Sequence, residues 1–453
     1  MNQKVSSINL FNDSLLKMFI EYNKTQKPIS VNFRELVPEI VNMDRYTHFI
    51  HSYPAKLLQQ IPYYFLRNDI LSREGDYVLD PFCGTGTVLL EASLSNRNAI
   101  GVDVNPLAVL ISKSKTSKVN VDELEKELIS IEEKFIIYKS SKQRFSIPKI
   151  SNIEHWYNKR NIRKLIKIKF IVSQIRNEEV KDFFNIVFSI CCKKFSYSDP
   201  RISVPVKLNQ EKFEDSHSLK EAVINQIRFI NKGRVFEFFL EQAKKNIERL
   251  KRYQLKRNPD ISVKVYNQDI KIIDNSIIND SSIQLILTSP PYVSAQKYIR
   301  ASSLSLQWLE LSEKKIAELD KESVGREHFP KKEYEKLHLI NIESVDEMLK
   351  KIYERNKLRA YITYKYLKEM EKSFKHFFRV LKNNGFFVMV IGNNTISGYE
   401  FMTYKYLIKI AERIGFNTEL VLIDDIKSRG LMTKRNKTAS MISREYIVIF
   451  KKV

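Results

Sequence analysis

Cysteine and glycine are both scarce in this chain, with 3 Cys and 11 Gly among 453 residues. Cys83 stands alone and Cys191 and Cys192 are adjacent, which excludes the disulfide framework of a small secreted domain. The seven histidines do not join them at zinc-ligand spacing, so no metal site is expected. No apolar run approaches the roughly 20 residues that span a bilayer. Met1 to Phe11 lacks the apolar block of a signal peptide, and the expectation is a cytoplasmic protein with no membrane partner. Internal repeats and low-complexity tracts are also missing. Acidic residues are outnumbered, 53 Asp+Glu against 76 Lys+Arg, for a formal charge of +23. Hydrophobic residues make up 43%, enough for a buried core and too many for wholesale disorder.

The basic excess points to a polyanionic partner, because a large positive field concentrates nucleic acid or acidic lipid around it. A lysine-rich composition without such a partner is the plain alternative, and site chemistry has to decide. At roughly 150 residues per domain, the length allows about three domains or one large core with insertions.

Strand-like runs occur in two separated regions. The first holds Tyr77 to Asp80 and Ala99 to Asp103, with a helix from Thr87 to Ser95 between them. The second holds Val263 to Tyr266, Ile283 to Leu287, Phe386 to Ile391, Thr418 to Ile423 and Tyr446 to Phe450. Strands alternating with helices predict an α/β fold with a mostly parallel sheet covered on both faces. Turn signals between the last two runs predict an antiparallel hairpin at one edge. The stretches from Val119 to about Asp260 and from about Val293 to Lys375 read as helical, as in the spacing of Phe183, Phe184, Val187 and Ile190. The expected division is an N-terminal segment (1–40), a core part (41–118), a basic helical insertion (119–259), a core part ending in a proline motif (260–292), a second helical insertion (293–375) and the last core part (376–453).

Asp80-Pro81-Phe82-Cys83-Gly84-Thr85-Gly86-Thr87 directly follows the first strand. Its glycines allow a tight turn and close approach to a ligand, and the helix from Thr87 presents its N-terminus there. The next strand ends at Asp103, 17 positions past Gly86, where such folds accept ribose hydroxyls. The third spaced glycine of a dinucleotide fingerprint is missing, as is the Gly-Lys-Ser/Thr of a phosphate loop. With Gly101-Val102-Asp103-Val104-Asn105-Pro106 behind it, the octet resembles the cofactor loop of the S-adenosylmethionine-dependent methyltransferases that act on exocyclic amino groups of nucleic acids. The resemblance implies a Rossmann-like methyltransferase fold and S-adenosylmethionine as cofactor. It also implies Asp80 near the methionine ammonium, Asp103 on the ribose, and Phe82, Gly84, Gly86 and Thr87 around them.

Thr288-Ser289-Pro290-Pro291-Tyr292 follows a later strand. The prolines end it, stiffen the loop and remove two donors, leaving carbonyls exposed. A hydroxyl acceptor at Ser289 and an aromatic face at Tyr292 suit a flat heterocycle bearing an amine. The motif resembles the catalytic motif of amino-group DNA methyltransferases, and Ser in its first position resembles the N4-cytosine branch, where Asp or Asn is usual for N6-adenine. Tyr298-Ile299-Arg300 and Leu304 to Leu309 resemble the segment that follows it. Upstream, His48, His51, Tyr53-Pro54-Ala55-Lys56 and Ile61-Pro62 resemble the segment that closes over the methionine end. That assigns Tyr53 and Pro54 to the cofactor, with a packing role for the histidines. Asp269 stands where the family contacts adenine, although a helix cap there is a competing reading. Phe378 to Gly385 followed by a strand resembles the family's late helix-turn-strand unit. The family's N4-cytosine members commonly place Ser-Pro-Pro-Tyr before the glycine loop, and here it follows.

Cys83 is not preceded by the Pro-Cys dipeptide of cytosine-C5 enzymes, so it reads as a packing residue. Residues 151–210 hold 12 cations and five acids. Lys159, Arg160, Arg163, Lys164 and Lys167 cluster on one stretch and, with Arg300 and Arg435, are the candidate contacts to nucleic acid; a solvated helix face competes for the first five. The basic stretch Lys427 to Arg444 lies near the last strands. The leading expectation is a site-specific DNA methyltransferase that flips cytosine and methylates its N4 amine. Its partner is double-stranded DNA, and a cognate restriction enzyme or defence-complex subunit is the further partner considered. The alternatives are an N6-adenine DNA enzyme, an RNA N2-guanine methyltransferase, and an inactive DNA-binding subunit of a defence complex.

Overall fold

A computed structural model describes residues 2–53, 56–140, 145–212, 218–293, 298–426 and 443–453. Ten strands are described: β1 (Ile29–Val31), β2 (Tyr77–Asp80), β3 (Asn98–Asp103), β4 (Val263–Asn267), β5 (Ile283–Thr288), β6 (Leu381–Gly392), β7 (Asn394–Ile396), β8 (Tyr399–Phe401), β9 (Phe416–Asp425) and β10 (Arg444–Lys452). Eight of them form one sheet in the order β1-β9-β10-β6-β5-β2-β3-β4, and β7 and β8 form a separate hairpin. Neighbours from β6 to β4 run parallel, while β10 is antiparallel to both β6 and β9. This is the expected α/β sheet. The antiparallel pair also forms, but β1 pairs parallel to the outer side of β9, so the hairpin is not the outermost element.

The central strands are continuous apolar runs because helices cover both faces. Val78, Leu79, Leu285, Ile286 and Leu287 are all fully buried. From β2 the chain builds outward through β3 to β4, then returns with β5 on the other side of β2. The β2/β5 junction is therefore a topological switch point, and the crevice beyond the strand ends there is where open α/β sheets bind ligands. Both sequence motifs leave the sheet at this junction.

The first insertion is helical, as Val121–Ser140, Ile153–Trp156, Lys159–Ser173, Glu178–Lys194, Ser218–Lys232 and Val235–Gln254. Asparagine side chains cap the helices Lys159–Ser173 and Glu178–Lys194. The Asn158 carbonyl oxygen accepts from the Asn161 N–H at 2.8 Å, and that of Asn177 from the Glu179 N–H at 3.0 Å. The apolar faces of all but Ser218–Lys232 join the helix Pro106–Lys115 in a second core distinct from the one around the sheet, while Val223 and Ile230 of Ser218–Lys232 form a small third cluster with Leu208. The helix Tyr298–Leu309, just after the proline motif, enters that second core. Its Trp308 is fully buried and stands edge-on to Tyr157 and Phe188, with ring centroids 5.5 and 5.9 Å away. Among the described residues no helix is long and apolar enough to cross a membrane.

Candidate active site

The glycine loop is fixed by contacts within the sheet's carboxyl edge. The Cys83 N–H donates to the Val102 carbonyl at 3.0 Å, and Gly86 N–H to the Cys83 carbonyl at 2.7 Å. Gly84 and Gly86 both have left-handed backbones, with φ +47° and +70°. Their surroundings differ. A methyl on Gly84 would meet nothing nearer than the Phe82 carbonyl at 4.0 Å, whereas one on Gly86 would strike Ser112 Oγ at 2.9 Å. Gly84 thus borders open space and Gly86 is packed. The Ser112 hydroxyl also donates to the Gly84 carbonyl at 2.8 Å, a support no sequence motif announces. The helix Thr87–Leu94 begins at this turn, with Thr87 buried.

Asp103 closes the loop from the next strand. Its Oδ2 accepts from the Gly84 N–H at 2.9 Å and its Oδ1 from the Asn105 N–H at 2.8 Å. Burial raises its carboxyl to about 6 against those two bonds. Asp80 lies beneath, where burial raises its carboxyl to about 7. Asp80 Oδ1 accepts from the Phe82 N–H at 3.2 Å and from the Thr288 hydroxyl at 2.6 Å. Thr288 ends β5, so that bond fastens the glycine loop to the proline motif across the switch point. The Phe82 ring stands edge-on to Phe377 at 6.2 Å.

The proline motif lies half in and half out of the protein. Pro290 is buried, and Ser289, Pro291 and Tyr292 are half-buried. The Tyr292 phenol donates to Glu445 Oε1 at 2.9 Å. Burial and the Glu445 carboxylate push that phenol far above its usual range, and the Ser289 hydroxyl beside it acts in the opposite sense.

A family model described as DNA methylase matches residues 23–114. Type II methyltransferase M.MvaI of Kocuria varians is 26% identical over 390 residues, covering 83% of this chain and 83% of its own. M.BsoBI of Geobacillus stearothermophilus, also a Type II methyltransferase, is 25% identical over 382 residues, covering 79% of this chain and 72% of its own. M.AvaI of Nostoc sp., with the same description, is 22% identical over 468 residues, covering 92% and 88%. These similarities support an amino-group DNA methyltransferase family for the chain. Its cofactor is S-adenosylmethionine.

The segment before the glycine loop is tightly fastened. Glu91, fully buried on the helix after the loop, accepts from Arg45 and pairs with His48 Nε2 at 2.6 Å. Burial opposes the Glu91 charge, yet Arg45 and His48 hold its carboxyl below the usual range. His51 pairs with the Ser189 hydroxyl at 2.9 Å, and Asn246 donates to the Ile50 carbonyl at 2.8 Å. Both histidines therefore have packing partners, as the sequence suggested. Asn105 caps the helix Pro106–Lys115 and donates to the Tyr53 hydroxyl at 2.8 Å and to Ser302 Oγ at 3.1 Å. Tyr53 thus stands beside the Asp103 turn. Pro54 lies outside the described residues.

Asp269 caps the short helix Ile270–Ile272 through the Lys271 N–H at 2.9 Å and pairs with Lys271 Nζ at 3.3 Å. Its carboxylate therefore has the competing cap role. On the basic helix, Lys159, Arg160 and Arg163 are exposed, as is Arg300. Lys164 and Lys167 have other partners: their ammonium groups donate to the Gly233 and Tyr138 carbonyls at 2.8 and 2.7 Å. Arg435 and most of the basic stretch before β10 lie outside the described residues. Cys83 is buried, and burial with the Asp103 and Asp80 carboxylates pushes its thiol far above the usual range. That is the opposite of what a thiolate nucleophile needs.

Proposed function

We propose that this chain is a site-specific DNA methyltransferase acting on the exocyclic N4 amine of cytosine. The observation that carries the reading is the serine-first proline motif held against the glycine loop by the Thr288–Asp80 bond of 2.6 Å. The residues fit the cofactor. Open space above Gly84, the N-terminus of an adjacent helix, the buried Asp80 and the half-buried Asp103 suit a ligand with a cationic methionine end and ribose hydroxyls. Asp80 would face the ammonium, Asp103 would accept the ribose hydroxyls, and Phe82, Gly86, Thr87 and Tyr53 would border them.

When bound, S-adenosylmethionine supplies the activated methyl group. The chain's own task is to make a poor nucleophile attack. The lone pair of an aromatic amine is delocalised into the ring. Acceptors at Ser289 and the Pro290 carbonyl bind the amine's protons, favour the tetrahedral nitrogen and aim its lone pair. Tyr292 holds the flipped ring by its face. The exposed cations Lys159, Arg160, Arg163 and Arg300 would contact phosphates, which position a duplex without reading it. The names of the relatives, Type II methyltransferases, support a site-specific enzyme of a restriction–modification system.

The test is incubation of the protein with labelled S-adenosylmethionine and mixed DNA and RNA, followed by mass spectrometry of the nucleosides. N4-methylcytosine in DNA is the expected product. N6-methyladenine would move the target while keeping the amino-group mechanism, and N2-methylguanine in RNA would replace DNA as the substrate. A protein that binds duplex DNA but yields no methylated nucleoside would be an inactive binding subunit.

A further inference from the structure

Tyr292 is tied to a residue that no motif includes. Its phenol donates at 2.9 Å to Glu445, 153 positions further along the chain on β10. The register of β10 sets Glu445 opposite Gly392 on β6 and opposite Asp424 on β9. Opposed residues of an antiparallel pair project on the same face. At this register β6 therefore contributes no side chain, and the phenol reaches past it to the glutamate. Burial raises the Glu445 carboxyl; the Tyr292 bond then opposes that rise, Asp424 adds to it and Arg34 counters it.

Resting on the reading of Tyr292 as the face that holds the target base, we propose that Glu445 is a positioning residue for that face. A phenylalanine at 292 could swing about its first side-chain torsion. The hydrogen bond at the far end of the ring fixes where the ring sits before a base arrives, so less freedom is lost when it stacks. Stacking alone would leave Tyr292→Phe near parental activity. The tether predicts that losing the hydroxyl slows methylation, and that losing the glutamate slows it by the same route.

The experiment measures kcat, KM for duplex DNA and cofactor affinity in full-length single and double variants. Glu445→Ala and Tyr292→Phe should each lower kcat about tenfold, the factor carried by one hydrogen bond to a charged group, with cofactor affinity unchanged. Glu445→Gln keeps an acceptor and should stay within about threefold of the parent. Glu445→Asp keeps the charge but is one methylene shorter, so it should behave like the alanine variant. Residues acting through one shared bond are not additive, so Glu445→Ala should cost nothing further in the Tyr292→Phe background. The same loss in both backgrounds, or parental kcat in Glu445→Asp, would overturn the proposal. If Glu445→Ala does not fold, Glu445→Asp carries the same comparison. Parental rates in both Ser289→Ala and Tyr292→Ala would instead overturn the reading of the loop, a result distinct from any at Glu445.

Discussion

If Asp80 faces the methionine ammonium, as proposed, cofactor binding should depend on pH. Its carboxyl is raised to about 7 by burial, and only the ionised form offers charge to a methionine ammonium. Between pH 6 and pH 7 the ionised fraction of such a group rises about fivefold, and affinity for S-adenosylmethionine should rise with it. The window lies below the titration of an α-amino group, near pH 8, so the ligand's charge stays nearly constant. Asp103, raised to about 6, should steepen the fall below pH 6. Asp80→Asn removes the charge while its carbonyl oxygen can still accept from Thr288 and the Phe82 N–H. It should bind weakly, and its affinity should rise less than about twofold from pH 6 to 7, the part that remains to Asp103. In the free protein the sign reverses. A carboxyl whose folded value lies above its unfolded value penalises the fold as pH rises from about 4 towards 7, and Asp80→Asn should lift that penalty. Titration calorimetry in buffers of different ionisation enthalpy would read both affinity and protons released. An affinity flat from pH 6 to 7 in the parent, or an unchanged slope in Asp80→Asn, would refute the assignment.

The two loop glycines should part company. Gly84→Ala carries the left-handed strain of about 1–2 kcal/mol but meets open space, so cofactor affinity should fall more than stability. Gly86→Ala adds a collision with Ser112 and should lower the melting midpoint further, and equal midpoints would contradict this geometry. On the basic helix, reversing Lys159, Arg160 and Arg163 to Glu should weaken duplex binding across sequences and flatten its salt dependence; filter binding from low to moderate salt would read it. Lys164→Gln and Lys167→Gln should lower the melting midpoint more than DNA affinity, because their ammonium groups hold carbonyls. Cys83→Ser should keep methylating without placing methyl on carbon 5, and loss of all activity with normal cofactor binding would overturn the amino-group mechanism.

What could be read from the sequence was local. The strands around both motifs follow the expected runs within a few residues, because buried parallel strands are continuous and apolar between turns. Other features turn on pairing. β1 has three residues, too few to show a period, and it exists as a strand because β9 offers an edge. Asn383-Asn384-Gly385 reads as a turn, yet β6 continues through it from Leu381. Asn384 takes φ +62° and the register against β5 shifts at that point, so turn residues are absorbed as an irregularity within a strand. Asp80 and Asp103 stand out in the sequence because adjacent residues mark them as candidates. The bond from Thr288 to Asp80 does not, since it spans 208 positions. The cations were counted correctly, but a sequence does not say which way a lysine points, and Lys164 donates to a carbonyl 69 positions away.

Motif order poses a last question, since the proline motif follows the glycine loop where N4-cytosine enzymes commonly have it first. The sheet supplies a physical reason for tolerance. β2 and β5 are hydrogen-bonded neighbours, with Val78 opposite Leu285 and Leu79 opposite Ile286, and both loops leave the same edge of the sheet. Their proximity depends on that pairing and on the Thr288–Asp80 bond, and neither records which strand was made first. What order does change is the intervening chain. Here the interval between the motifs holds the basic helical insertion, whose core also receives the helix that follows Tyr292. His51, Asn105 and Trp308 tie that layer to the glycine-loop side and to the proline-motif side at once. The expected consequence is that the insertion cannot be removed as a separate module. A chain with residues 119–259 replaced by a short linker should lose cofactor binding along with DNA binding, and calorimetry finding normal cofactor affinity in it would reject this coupling.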